Sequence, residues 1–209
     1  MAKIRKLADV LVSKIAAGEI VERPASVVKE LVENSIDAGA TRISIHLEAG
    51  GRRLVRVVDN GHGMSPDDAL MSIERHATSK IRDINDLFSI ETLGFRGEAI
   101  PSIASVSRFT MITAAEGLAS GTEIYIEGGV VRKIRETAYP KGSSIEVKNL
   151  FFNIPPRLKF LKRTETELGR SLEVIQREAL SRPGISFEVI SEGRPIYRYG
   201  VTQSLEQRV

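Results

Sequence analysis

The spacing of apolar residues between positions 23 and 39 predicts one amphipathic α-helix. Pro24 suits the first helical position, where a backbone N–H has no intrahelical partner. Gly39 suits the left-handed residue that commonly follows a helix end. At about 100° per residue, one half of the helix surface carries the residues expected to face a core: Val27, Val28, Leu31, Val32, Ser35 and Ile36. We therefore expect this helix to pack against the rest of the fold through that half.

Three polar residues lie on the other side of the same helix. Glu30, Asn34 and Asp37 are spaced at i, i+4 and i+7, which places them within an arc of about 60°. Such a ridge is usually a solvated helix face, and the helix alone favours that interpretation. The alternative is a site in which Asn34 offers an oxygen to Mg²⁺ and Glu30 takes a proton from an attacking water. The rest of the sequence has to decide between the two.

Strict alternation of apolar and polar residues predicts β-strands elsewhere. Residues 41–48 and 52–58 alternate on either side of a glycine turn, which predicts a hairpin. Further strands are predicted at 107–114, 121–127, 130–136, 143–148, 185–191 and 195–199, and further helices at 8–17, 65–76, 98–106 and 164–182. Eight strands joined mostly by tight turns predict an α+β fold. We expect a two-layer sandwich with a mixed, mostly antiparallel eight-stranded sheet and helices on one face.

Three stretches between these elements also carry predictions. Residues 77–97 have poor periodicity, and an irregular segment of that length inside a compact domain is usually functional. The stretch from Phe151 to Pro156 is predicted to be a loop. Thr164 and Glu167 have the spacing of a capping box, which predicts that Thr164 caps the long helix that follows.

Composition narrows the class of protein without defining it. The chain has 209 residues and 42% hydrophobic residues, enough for a packed core. It contains no cysteine, which excludes disulfides, thiolate metal sites and a cysteine nucleophile. No signal peptide or membrane-spanning run is evident, so we expect a cytoplasmic protein without a membrane partner. The net charge of +3 is compatible with phosphate ligands or nucleic acid but does not indicate either.

The common phosphate-binding motifs are missing, but a set of shorter motifs occurs in a fixed order. The sequence has no G-x-x-x-x-G-K-[ST] loop and no G-x-G-x-x-G turn. After the Glu30 ridge come Asp59-x-Gly61-x-Gly63, then Gly94-Phe95-Arg96-Gly97-Glu98, then Gly142-Ser143-Ser144. Each is weak alone, because Asp59-Asn60-Gly61 is more often a hairpin turn than a ligand site. Their joint occurrence in this order is much more specific.

This order resembles the Bergerat-fold (GHKL) ATPases, the superfamily of gyrase-type topoisomerases, heat-shock chaperones, histidine kinases and MutL. Within it the chain is similar to the MutL-type DNA mismatch repair proteins over about residues 8 to 199. The resemblance is carried by Ile15 to Pro24 with Asp37 to Ala40, by Arg75 to Lys80, by Gly94 to Ala99 and by Phe151 to Leu161. It favours the site interpretation of the Glu30 ridge over the solvated face.

The resemblance implies a role for each of several residues. Glu30 would be the general base that deprotonates the attacking water, and Asn34 would be the Mg²⁺ ligand. Asp59 would accept a hydrogen bond from the adenine amino group, and Gly63 would let the backbone approach the base. Asp37 would support the site.

The family also implies contacts around the rest of the nucleotide. Thr78, Ser79 and Lys80 correspond to residues of a loop over the nucleotide. The phosphate cradle would be formed by Gly94, Arg96 and Gly97 with the N–H groups of Glu98, Ala99 and Ile100, at a helix N-terminus that favours anions. Glu98 could equally be a simple helix-capping acid. The family commonly has Gly-Thr-Thr where this chain has Gly142-Ser143-Ser144, and we assign the contact to the hydroxyl of Ser144.

The expected ligands are ATP and Mg²⁺. The expected partners are DNA, a MutS-type mismatch sensor, the nuclease activity of the repair pathway and, on ATP binding, a second N-terminal region in a homodimer. We expect an ATP-binding domain at 1–200 and the first residues of a second domain at 201–209. That second domain contributes a lysine to the γ-phosphate in the family. The rival hypothesis is therefore a nucleotide-gated binding module that turns over little ATP in this form.

Overall fold

The computed structural model describes residues 20–75, 77, 97–202, 204 and 206–208. These residues form five α-helices: α1 (Pro24–Asp37), α2 (Pro66–Met71), α3 (Ala99–Ser105), α4 (Pro155–Phe160) and α5 (Thr164–Ser181). They also form eight strands: β1 (Arg42–Glu48), β2 (Leu54–Asp59), β3 (Arg108–Ala114), β4 (Gly121–Glu127), β5 (Val130–Thr137), β6 (Gly142–Lys148), β7 (Ser186–Ser191) and β8 (Arg194–Tyr199). The helix predicted at 8–17 lies outside the described residues.

All eight described strands belong to one sheet, in the order β5-β4-β3-β6-β2-β1-β7-β8. Among them β1 and β7 pair in parallel, and the other neighbouring pairs are antiparallel. Short connections explain four of the antiparallel pairs, β1–β2, β3–β4, β4–β5 and β7–β8, whereas β6 pairs with β2 and β3 across longer stretches of chain. The prediction of a mixed, mostly antiparallel eight-stranded sheet is confirmed.

The sheet has one apolar and one polar face, as the alternating sequence requires. Ile43, Ile45 and Leu47 of β1 are fully buried under the helices, with Phe109 and Met111 of β3. The long helices α1 and α5 pack against each other over this face. The opposite face carries ion pairs such as Arg108–Glu127 and Lys148–Glu146. The two-layer α+β sandwich predicted from the sequence is therefore confirmed.

The prediction of a loop from Phe151 to Pro156 is wrong for its last two residues, because α4 begins at Pro155. Pro155 and Pro156 occupy the first helical positions, where a missing N–H costs nothing and the fixed φ suits a helix. Arg, Leu and Lys, which follow, are good helix formers. The two prolines were therefore a start signal.

The capping box predicted at the start of α5 is also wrong. Arg163 is the N-cap residue and Thr164 is the first helical residue. The Glu167 carboxylate reaches back to accept a hydrogen bond from the Lys162 backbone N–H at 2.8 Å, and it lies 3.7 Å from the Arg23 guanidinium. Glu167 therefore lies close to Arg23, a residue distant in sequence that the capping-box motif does not include.

Within the described part of the chain, α5 is the longest helix, and it lacks the continuous apolar surface that crossing a bilayer requires.

Candidate nucleotide site

The polar ridge of α1 is partly buried and is not a fully solvated face. Glu30, Asn34 and Asp37 all have intermediate exposure, whereas the neighbouring Lys29 is exposed. The Glu30 side chain is 26% exposed against 52% for Lys29, whose ammonium lies 4.0 Å from the Glu30 carboxylate. The predicted apolar half is buried from Val27 to Val32, as expected. The ridge therefore has the partial shielding that a site in a cleft requires.

Asp59 ends β2 between two neighbouring strands and lies beside α1. Its Cα is in register with Ile43 of β1 and Ser143 of β6. One carboxylate oxygen accepts a hydrogen bond from the Gly61 N–H at 2.9 Å, which closes a small Asx turn. The other accepts a hydrogen bond from the Ser35 hydroxyl at 2.9 Å. The carboxylate is thus fixed in orientation by a turn and by a helix.

Burial raises the pKa of the Asp59 carboxyl above its usual value, and the hydrogen bonds from the Gly61 N–H and Ser35 hydroxyl oppose part of that rise. Such an environment strengthens any polar contact that the carboxylate makes with a ligand. A carboxyl group whose pKa is perturbed by burial is also a functional-site indicator.

Ser35 is a candidate site residue that sequence reasoning missed. The helical wheel places it in the apolar stripe, and it is indeed buried. Its hydroxyl lies 3.1 Å from the Leu31 carbonyl and 2.9 Å from Asp59, a residue distant in sequence. The signal in the sequence was a lone hydroxyl in an otherwise aliphatic stripe, and such a group needs a partner when buried.

The turn after Asp59 is held closely against α1 and β3. The His62 N–H donates to the Ala38 carbonyl at 2.9 Å, just past the end of α1. Gly63 has a positive φ of 66°, and a Cβ there would overlap the Ala114 carbonyl. In the described residues, the close approach made by Gly63 is therefore to Ala114 at the end of β3. Its predicted approach to a base stays a prediction.

Two adjacent serines of β6 point to opposite faces of the sheet. Ser143 is in register with Asp59, and its hydroxyl lies 2.9 Å from that of Thr113. Thr113 in turn accepts a hydrogen bond from the Met64 N–H, so these hydroxyls border the Asp59 turn. Ser144 faces the other side, where it accepts a hydrogen bond from Arg56 at 3.2 Å. The geometry therefore favours Ser143 over the predicted Ser144 as the hydroxyl near Asp59.

The predicted phosphate cradle is described from Gly97 onwards. Gly97 has a φ of 61° and packs against the Ala77 carbonyl, so the residues on either side of 78–96 lie together. Glu98 is the N-cap residue of α3, and its side chain makes no capping hydrogen bond within the described residues. The backbone N–H groups of Ala99 and Ile100 are in the first turn, where a helix has unsatisfied donors. Thr78, Ser79, Lys80, Gly94 and Arg96 lie outside the described residues.

The side chains of the site fit a metal that arrives with a nucleotide. No group of three or more His, Cys, Asp or Glu residues that could hold a metal occurs among the described residues. Mg²⁺ is usually bound through one or two protein oxygens together with phosphate oxygens and waters. The carboxamide of Asn34 on the α1 ridge matches such a single protein ligand, because it offers a hard oxygen beside the Glu30 carboxylate.

A family profile and curated relatives match this chain. The profile described as histidine kinase-, DNA gyrase B- and HSP90-like ATPase matches residues 22–150. The DNA mismatch repair protein MutL of Geobacter sulfurreducens is 57% identical over 196 residues, covering 94% of this chain and 32% of the relative. The MutL of Geotalea daltonii is 53% identical over 207 residues, covering 99% and 34%. The chain thus spans about a third of the length of these relatives.

Solved structures give the same result. The Aquifex aeolicus MutL ATPase domain complexed with ADP is 36% identical with a TM-score of 0.73, covering 90% of this chain and 68% of that chain. The N-terminal domain of a DNA repair protein is 29% identical with a TM-score of 0.79, covering 94% and 58%. The chain therefore belongs to the histidine kinase-, DNA gyrase B- and HSP90-like ATPases, and within that family to the MutL group of DNA mismatch repair proteins.

Proposed function

We propose that this chain binds ATP with Mg²⁺ and hydrolyses it, as the nucleotide-dependent part of a MutL-type mismatch repair protein. The observation that carries the proposal is the hydrogen bond between Ser35 of α1 and Asp59 of β2. It fixes the Asp59 carboxylate to the helix that also carries Glu30 and Asn34. Along that helix Glu30 lies about 7.5 Å from Ser35, so both ends of one ligand can meet a single rigid element.

In this proposal Asp59 reads the adenine ring. The carboxylate already accepts hydrogen bonds from Gly61 and Ser35, and its remaining lone pairs can accept one from the exocyclic amino group of adenine. Guanine carries an acceptor oxygen at that position, which would meet the carboxylate unfavourably. The site would therefore prefer ATP to GTP. The Ser143 and Thr113 hydroxyls border the Asp59 turn and would form a polar wall beside the base.

The phosphates would lie between the α1 ridge and the start of α3. Arg96 and Gly97 with the N–H groups of Glu98, Ala99 and Ile100 would hold them, as expected for a helix N-terminus. Asn34 would bind Mg²⁺, which neutralises charge on the phosphate oxygens when bound. Glu30 would orient the attacking water and accept its proton.

The proposal includes closure of residues 77–97 over the nucleotide. The contact between Gly97 and the Ala77 carbonyl brings together the two ends of the segment that the family resemblance assigns to the lid. Closure would couple ATP binding to formation of an N-terminal homodimer. Closure would also couple ATP binding to engagement of DNA, of a MutS-type mismatch sensor and of the nuclease activity of the repair pathway.

A single-turnover ATPase assay tests whether this chain turns over ATP. We expect measurable hydrolysis by the 209-residue chain, and faster hydrolysis by a longer chain that continues past Val209 and supplies the lysine implied by the family. Binding of ATP without any hydrolysis by the short chain would favour the rival, a nucleotide-gated binding module. Absence of ATP binding by both chains would contradict the proposed function.

A further inference from the structure

We propose that residues 151–157 bridge the two helices of the nucleotide site, and that Asn153 and Arg157 are positioning residues for that site. The bridge would keep the start of α3 at a fixed distance from the ridge of α1. This inference rests on the proposed function for its consequences, whereas the bridge itself can be tested without a nucleotide. It gives a role to the Phe151 to Leu161 motif, which the proposed nucleotide contacts do not use.

At one end, the bridge donates hydrogen bonds to carbonyl groups at the C-terminal end of α3. The Phe151 N–H donates to the Val106 carbonyl at 2.7 Å, and the Asn153 amide donates to the Ser105 carbonyl at 2.9 Å. The turn before β5 adds a third bond, from the Gly129 N–H to the Ala104 carbonyl. Carbonyls at a helix end have no intrahelical partner, so these bonds hold α3 from its C-terminal end.

At the other end, the bridge holds the chain just before α1. The Arg157 guanidinium donates to the carbonyl of Val21 at 3.2 Å, and Val21 is fully buried. The next residue but one, Arg23, is the N-cap of α1 and lies 3.7 Å from the buried Glu167. The entry to α1 is therefore tied to both α4 and α5 before the helix begins.

Contacts within residues 151–157 hold the two ends of the bridge together. The Arg157 guanidinium lies over the Phe151 ring, 5.4 Å from its centroid, and that ring is fully buried. The Ile154 N–H donates to the Phe151 carbonyl, and the Arg157 N–H donates to the Ile154 carbonyl. Phe151 also has a positive φ of 63°, a conformation that a phenylalanine adopts when its surroundings impose it. The segment is thus a short rigid unit.

Fixed positions of α1 and α3 matter because each helix would contact a different part of the ligand. The first turn of α3 would hold phosphates, while Glu30 and Asn34 of α1 would hold the water and the metal. A change in the distance between the helices would move Glu30, the general base, away from the phosphorus atom that the attacking water approaches. Small misplacements of this kind reduce reaction rates strongly.

Amide hydrogen exchange of the nucleotide-free chain tests the bridge itself. We would compare Arg157→Met and Asn153→Ala with Arg177→Met, a control at an exposed position of α5. Arg157 donates to Val21 on the α1 side, and Asn153 donates to Ser105 on the α3 side. Each variant should nevertheless raise exchange in both α1 and α3, by about fivefold, with little change in β7 and β8. The control should change neither helix.

Two results would overturn the bridge. One is a rise in amide exchange that is confined, in each variant, to the helix on the side that the altered side chain contacts. The other is an equal rise throughout the chain, including β7 and β8, for both variants and also for the milder Arg157→Lys. Either would leave these residues with a local or general structural role.

Nucleotide binding tests the consequence for the site. Arg157→Met should weaken binding of a Mg²⁺-bound, non-hydrolysable ATP analogue on the order of tenfold, with ADP affinity changed much less. Asp59, which would bind the adenine of both ligands, is held by Ser35 and Gly61. Equal weakening for both ligands, or none, would remove the positioning role. If the unaltered chain binds neither ligand, the proposed function fails, and the exchange result still decides whether the bridge exists.

Discussion

Replacing Glu30 with alanine is expected to lower the single-turnover rate of ATP hydrolysis by about 10²- to 10⁴-fold, the usual contribution of a general base. ATP affinity should be largely retained, because the carboxylate would contact the attacking water and not the nucleotide. Glu30→Gln, which keeps the shape and removes the basicity, should be nearly as slow. Rapid-quench measurement of hydrolysis and equilibrium titration of a non-hydrolysable analogue would separate the two quantities.

The control for Glu30 is Glu165→Ala, which removes an exposed carboxylate from the first turn of α5. It should leave both the rate and the affinity unchanged. The assignment of Glu30 as the base would be wrong if Glu30→Ala lost its affinity for ATP together with its activity. It would equally be wrong if Glu30→Gln hydrolysed ATP at the original rate.

Replacing Asp59 with asparagine should weaken ATP binding by about 1–3 kcal/mol, or roughly 5- to 150-fold in Kd. The asparagine presents a donor N–H₂ group where the carboxylate would accept from adenine, so a buried hydrogen bond is lost and two donors oppose each other. The preference for ATP over GTP should fall at the same time, because an amide donor can face the guanine oxygen. Isothermal titration with both nucleotides measures these changes.

Asp67→Asn is the matched control for Asp59, since Asp67 is exposed in the first turn of α2. It should bind ATP like the original chain. A dissociation constant for Asp59→Asn equal to that of the original chain would take this carboxylate out of the adenine recess.

The sheet was predictable from sequence because its signal is local. Residues 41–48 and 52–58 alternate with period two, and glycine turns join them, so strand and hairpin follow from neighbouring residues alone. The two ends of α1 were predictable for the same reason, because Pro24 at its start and Gly39 just past its end are local signals.

The partner of Ser35 was harder to predict because it depends on a tertiary contact, whereas the faces of the two β6 serines depend on strand phase. The partner of Ser35 is a carboxylate on a strand that folds back beside α1, and the helical wheel contains no information about it. For β6, a shift of one residue moves every side chain to the other face. Ile145 and Val147 are buried, and their alternation already places Ser143 on the core face with them and Ser144 on the other. That phase was available in the sequence.

A crystal structure of the chain with Mg²⁺ and a non-hydrolysable ATP analogue tests the central claim most directly. We predict the adenine amino group within hydrogen-bonding distance of Asp59, with the hydroxyl of Ser143, and not that of Ser144, beside the base. The metal should be bound by the side-chain oxygen of Asn34 and by phosphate oxygens, with Glu30 facing a water near the terminal phosphate. A nucleotide bound elsewhere, with Asn34 and Asp59 contacting only protein and solvent, would contradict the account.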